Sequence, residues 1–96
     1  MAKKVVWTHG AVSDLNFLAS YIAKDSPAYA ASFVQKILDL AASLDILSAR
    51  GRVVPEYDNS KIRELFISEY RLIYRIEPKR VAILALIHRR RNIKLP

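Results

Sequence analysis

Apolar positions recur every three or four residues in the first half of the chain and at alternate residues in much of the second half. Ala11, Leu15, Leu18 and Ile22 fall on one side of a helix, and Phe17 and Tyr21 widen the stripe. The spacing predicts a helix over Ala11–Lys24, with Thr8 as its N-cap. Ser26-Pro27 then restarts the chain. Proline suits a first helical turn, because the N–H it lacks would have no partner there. Ala30, Phe33, Val34, Ile37, Leu40, Ala41 and Leu44 continue the pattern, predicting a second helix over Pro27–Ile46. So short a link predicts an antiparallel helical hairpin.

The period then changes. Lys3–Thr8 reads as a short first strand ahead of the helices, and Ser48–Gly51 reads as a loop after them. Arg52–Glu56 is expected to be extended, with Pro55 making it an edge or a connector. Asp58-Asn59-Ser60 is a turn cluster. Three strands are predicted after it: Ile62–Ile67, Tyr70–Glu77 and Val81–His88. Ser68-Glu69 and Pro78-Lys79-Arg80 are the turns between them. Along the second of these strands Tyr70, Leu72, Tyr74 and Ile76 share one face, while Arg71, Ile73 and Arg75 share the other. Val81–His88 is apolar on both faces, as a central strand should be. Leu15, Leu18, Ile22, Phe33, Ile37, Leu44, Leu72, Leu84 and Leu86 are the expected core.

The predicted fold is α+β, in the order β-α-α-β-β-β. A four-stranded, largely antiparallel sheet carries an N-terminal helical hairpin on one face. The other face is expected to be partly open, since no further helix can cover it. The 96 residues suit a single domain over 1–96, with no repeat and no linker.

Composition narrows the chemistry. There is no cysteine, which excludes disulfides and thiolate metal sites and fits a reducing cytoplasm. The two histidines, His9 and His88, lie near opposite ends of the chain, and no pair of metal ligands has helical or hairpin spacing. No metal and no cofactor is expected. The longest apolar run, Val81–Ile87, is far shorter than the ~20 residues that span a bilayer as a helix. The apolar stretch after Lys3-Lys4 is too short for a signal peptide. The expectation is a cytoplasmic protein without a membrane partner.

Charge is placed unevenly. Residues 1–49 hold four lysines and four aspartates; residues 50–96 hold twelve Lys/Arg and five Asp/Glu, which accounts for the net +7. All nine arginines lie in the second half. Arg63, Arg71 and Arg75 sit on predicted strands, Arg50 and Arg52 flank Gly51, and Arg89, Arg90 and Arg91 follow the last strand into a basic, partly mobile tail over 89–96. This predicts a concave, arginine-lined surface able to meet phosphates or an acidic protein segment. A solvated basic face is the plainer alternative.

Cleavage of RNA by its own 2′-hydroxyl needs a base, an acid and a cation beside the phosphorane. The arginines could supply the cation. Glu56, Tyr57, Tyr70, Tyr74 and His88 are the candidate acids and bases, and histidine is the type that titrates near neutrality. A structural hydrogen-bonding role is the alternative for His88. His9 reads as an exposed first-turn residue.

Several segments, in order, resemble the RelE/ParE toxins of type II toxin–antitoxin systems. They are Trp7 with Ala11 and Asp14-Leu15; Tyr21-Ile22 before Ser26-Pro27; Ala30 with Phe33; Gly51-Arg52 with Val54-Pro55-Glu56; Ile62-Arg63-Glu64-Leu65; Tyr70 to Ile76; and Ile83-Leu84 leading to His88-Arg89-Arg90-Arg91. The resemblance runs from residue 7 to 91 and implies the βααβββ fold. It also implies a cognate antitoxin of the ParD or RelB type, with an acidic tail. One branch, RelE-like, cuts messenger RNA on the ribosome; the other, ParE-like, poisons DNA gyrase. For a RelE-like nuclease the matching positions are Arg71, Arg63 and His88 as catalytic groups, with Arg90 or Arg91 as the C-terminal basic position. The chain departs from that branch: Arg63-Glu64-Leu65 lacks closely spaced strand lysines, and no tyrosine follows Tyr74. The long hairpin and the Asp25-Ser26-Pro27 start resemble the ParE branch more. The expectation is therefore a gyrase-directed toxin with Arg75, Arg89, Arg90 and Arg91 as target contacts. The alternatives are a ribosome-dependent mRNA interferase and a basic interaction module without toxicity.

Overall fold

In a computed structural model, which describes residues 2–93, the chain forms a five-stranded mixed sheet with two helices. The elements are β1 (Lys4–Trp7), α1 (His9–Ala23), α2 (Pro27–Ala42), β2 (Arg52–Val53), β3 (Ile62–Ile67), β4 (Tyr70–Ile76) and β5 (Arg80–His88). Their order across the sheet is β1-β5-β4-β3-β2. β1 pairs parallel with β5, and every other pairing is antiparallel.

The caps act as their residue types require. Thr8 Oγ1 accepts from Ala11 N at 3.2 Å and donates to Ile83 O at 2.8 Å, so one hydroxyl starts α1 and ties it to β5. Ser26 Oγ accepts from Tyr29 N at 3.1 Å ahead of Pro27. α2 ends at Ala42 and passes into a 3-10 turn at Ser43–Asp45, short of the expected Ile46. The two helices touch one another, and α1 lies against β5.

The sheet has five strands where the sequence predicts four. The addition is β2, whose Arg52 and Val53 pair with Glu64 and Arg63 of β3. Two residues are too few to show an alternation, and Pro55 ends the pairing as an edge proline does. The β3–β4 hairpin turns on Ser68-Glu69, with Ser68 at a φ of 52°.

The core has two parts. Ala11, Leu18, Phe33, Ile37, Ala41 and Leu44 pack with Leu72, Tyr74, Val81, Ile83 and Leu86 between helices and sheet. Burying a side chain such as Ile37 fully is worth about 1.5–3 kcal/mol. Leu15, Ile22 and Leu84, expected in the core, are only partly buried at its margins. The second part lies on the other face, where Val54, Ile62, Ile73 and Ala85 are buried with Tyr57, Leu84, Ile87 and Ile93 against them. The expected open face is thus partly covered, by the segment after β2 and by residues near the C-terminus. No helix among the described residues is long and apolar enough to cross a membrane.

A bulge shapes the central pair. Ile73 faces Ala85 and Tyr74 faces Ile83, leaving Leu84 as the extra residue of β5. β1 reaches only to Ile83, so β5 runs on beyond it. There Asp14 of α1 accepts a hydrogen bond from Leu86 N at 3.0 Å, giving a strand N–H a partner that no neighbouring strand supplies.

Candidate functional site

Arg71 is the centre of the covered face. Register sets it opposite Phe66 of β3 and Ile87 of β5. It is buried, not displayed on an open surface as the alternation alone suggests. Its Nε donates to Glu64 Oε1 at 2.6 Å, and Nη1 and Nη2 donate to the two oxygens of Glu56, each at 2.8 Å. Nη1 also donates to Arg91 O at 2.8 Å. Glu64, also buried, pairs with Arg52 Nε at 2.6 Å. A charge this deep needs such partners, because desolvation without them is costly. The hydrogen bond from Arg71 holds the Glu56 carboxyl down at about 2, against a smaller upward push from burial. Glu56 in turn raises the Arg71 guanidinium.

The other expected catalytic residues lie elsewhere. Arg63 is opposite Tyr74 in the β3–β4 register, which puts it on the sheet face away from Arg71. It donates to Ser60 O at 2.9 Å, Gly51 O at 3.0 Å and Ala49 O at 3.2 Å, stapling the turn before β2. Glu64, next to it in sequence, faces the other way and pairs with Arg52 and Arg71 instead. His88 is opposite Tyr70, on the helix side, with the two rings edge to face and 5.8 Å apart. Its Nδ1 accepts from Arg90 N at 3.2 Å. Three residues expected to act together are therefore on two faces of the sheet.

Tyr70 and Tyr74 are poor proton carriers near neutrality. Burial pushes the Tyr70 phenol up, helped by Tyr21, Tyr29 and Glu69 nearby. Burial also raises Tyr74, whose hydroxyl is spent structurally. It accepts from Gly51 N at 2.9 Å and donates to Ser48 O at 2.7 Å. Tyr57 donates to Ile93 O at 3.4 Å.

Arg89, Arg90 and Arg91 are exposed on a defined turn. Arg89 N donates to Glu69 O at 2.8 Å, and Arg91 N to His88 O at 3.0 Å. Ile93 N donates to Glu56 Oε2 at 3.1 Å. The basic segment expected as a mobile tail is thus anchored through residue 93; residues 94–96 lie outside the described residues. Arg75 stands apart near the other end of β4, hydrogen-bonded to Glu77 at 3.0 Å. Glu77 also binds Arg80, and the two arginines lower its carboxyl.

Two clefts flank the turn. One, of about 340 Å³, is lined by Arg52, Glu56, Phe66, Arg71 and the three arginines. The guanidinium groups of Arg52 and Arg89 lie over the Phe66 ring, 4.9 and 4.7 Å from its centroid. The other, of about 500 Å³, lies between α1 and the ends of β4 and β5, lined by Asp14, Phe17, Leu18, Tyr21, Tyr70, Leu86 and His88. Phe17, Tyr21 and Tyr29 are unusually exposed for aromatic residues. The sequence reading missed Phe66, Glu64 and this aromatic groove. The exposed Phe17 and Tyr21 were legible only as a stripe wider than one buried face requires.

Solved structures place the fold among known ones. A chromosomal ParDE toxin–antitoxin system from P. aeruginosa matches with a TM-score of 0.75 and 22% identity, covering 91% of this chain and 96% of the other. The RelBE2 toxin–antitoxin complex from Mycobacterium tuberculosis matches at 0.67 and 24%, covering 93% and 100%. A comparison with curated protein sequences finds no match. The fold is that of the RelE/ParE superfamily. Within it, the family model of the ParE toxin of the type II toxin–antitoxin system parDE matches residues 5–93, and the chain belongs to that family.

Proposed function

We propose that the protein arrests growth by binding DNA gyrase, as a cytoplasmic, single-domain toxin held inactive by a cognate antitoxin. The observation that carries this reading is the dispersal of the would-be nuclease groups. Arg63 and His88 lie on the helix side of the sheet, and Arg71 lies on the other, bound by two carboxylates. A transition-state cation must be aimed at developing charge, and the donors of Arg71 are aimed at Glu56 and Glu64 instead. Toxicity then rests on surface recognition. Arg89, Arg90 and Arg91 are the target contacts, with Arg75 outside their patch.

The antitoxin is read as a ParD-type protein with an acidic segment that folds on binding. The two helices, taken as an antiparallel hairpin, and the groove beside Phe17, Tyr21 and Tyr70 offer it apolar surface. The surrounding positive charge speeds encounter. Induction of the gene in a bacterial host, followed by separate readings of protein synthesis and plasmid supercoiling, tests the assignment. Loss of negative supercoiling ahead of any fall in translation supports it. Immediate arrest of translation with supercoiling intact supports an mRNA interferase instead.

A further inference from the structure

The sheet face that carries Arg71 has a neutral interior and a charged rim. Arg52 and Arg71 are matched by Glu56 and Glu64, so two cations and two anions cancel. Arg89, Arg90 and Arg91 stand at the mouth of the same cleft and, among the described residues, make no ion pair. The hydrogen bonds to their backbone keep them there. The Phe66 ring backs the guanidinium groups of Arg89 and Arg52, which limits the freedom those side chains lose when a ligand arrives. Every cation lining the cleft is arginine, whose flat fork matches two oxygens of a phosphate.

We propose that this cleft binds the phosphodiester backbone of duplex DNA, so that the toxin meets gyrase on its DNA and touches both. The setting rests on the gyrase reading; the ligand rests on the cleft's own chemistry. An acidic peptide is the competing anion. A peptide that folds on binding needs apolar burial to offset its ordering. The apolar lining of this cleft is confined to Pro55 and Phe66, whereas the groove on the helix side is rich in it. A phosphate chain needs fixed cations and little apolar surface.

Fluorescence anisotropy of the purified chain with a short labelled duplex, between about 50 and 200 mM salt, tests the proposal. Affinity should fall steeply with salt. Replacing Arg89, Arg90 and Arg91 by alanine should flatten the log–log slope by about two to three, close to one for each phosphate left without its arginine. Removing the same charge elsewhere, by Lys24→Ala, Lys36→Ala and Lys79→Ala together, should change it by less than about one. Phe66→Leu keeps every charge; it should preserve the slope and weaken binding about three- to five-fold. Equal slope changes in the two triple variants, no binding at the lowest salt, or full affinity in Phe66→Leu would overturn the site. Tighter binding of single-stranded RNA of equal length would overturn the choice of DNA. Supercoiling assays on the same preparations separate the two claims. Gyrase inhibition without DNA affinity removes this inference alone, and DNA affinity without inhibition removes the gyrase reading alone.

Discussion

Both carboxylate oxygens of Glu56 accept hydrogen bonds from the Arg71 guanidinium, each at 2.8 Å, although the residues lie fifteen positions apart in sequence. That fork closes the segment after β2 over the sheet. It continues through Glu56 to Ile93 N and through Arg71 to Arg91 O, so the turn bearing three exposed arginines is tied to the buried charge.

Arg71 should therefore matter to stability first. Arg71→Met leaves Glu64 buried with Arg52 as its remaining partner, and should cost about 3 kcal/mol or more in urea unfolding. Adding Glu56→Gln and Glu64→Gln should recover part of the loss. A single variant as stable as the parent would contradict the structural role.

Acid should loosen the same network. The Glu56 carboxyl is held down at about 2 in the folded protein, against 4.5 for the free group, chiefly by its bond from Arg71. Its contribution to stability is whole above about pH 4.5 and is lost as the pH falls toward 2. Glu56→Gln should be less stable by about 1–3 kcal/mol at neutrality. The gap between the two proteins should close through that acid window. Parallel stability curves across it would show that Glu56 is not the group involved.

Gly51 is required for want of room. A Cβ there would lie 2.6 Å from both Glu64 O and the Tyr74 hydroxyl, and that hydroxyl is fixed by Gly51 N and Ser48 O. Gly51→Ala should lower the melting temperature by about 10 °C or more. An unchanged melting temperature would mean the turn before β2 can shift freely.

Ser68 runs the other way. Its φ of 52° at the first position of a two-residue hairpin loop is a conformation that glycine adopts without strain. Ser68→Gly should stabilise by about 0.5–1 kcal/mol, read as a rise of a few degrees in thermal unfolding. A fall would show that the serine side chain contributes more than its backbone strain costs.

These residues also mark how far the sequence could be read. Thr8 and Ser26-Pro27 announce their helix starts through local hydrogen bonding, which needs no knowledge of the rest of the chain. Alternation along β4 assigns Leu72 and Tyr74 to one core and Ile73 to the other. It says which way Arg71 points but not what waits there. The cover comes from Val54, Glu56 and Tyr57, in a segment without periodicity, and from Ile93 beyond the last strand. Glu64 offered a hint: an acid between Ile62 and Phe66 on one strand face, where burial would demand a cation. The arginine run 89–91 was legible from the order of residues alone. Its anchoring depends on Glu69 and on backbone atoms that no side-chain pattern reports.

The central claim is that toxicity rests on surface recognition of gyrase, and a defined supercoiling reaction without ribosomes tests it most directly. Purified chain should inhibit the supercoiling of relaxed plasmid by gyrase. His88→Ala should inhibit as well as the parent, because no proton transfer is asked of His88. Replacing Arg89, Arg90 and Arg91 together should raise the half-inhibitory concentration by about tenfold or more. Undiminished supercoiling at saturating protein, together with cleavage of a model message on ribosomes, would contradict the account.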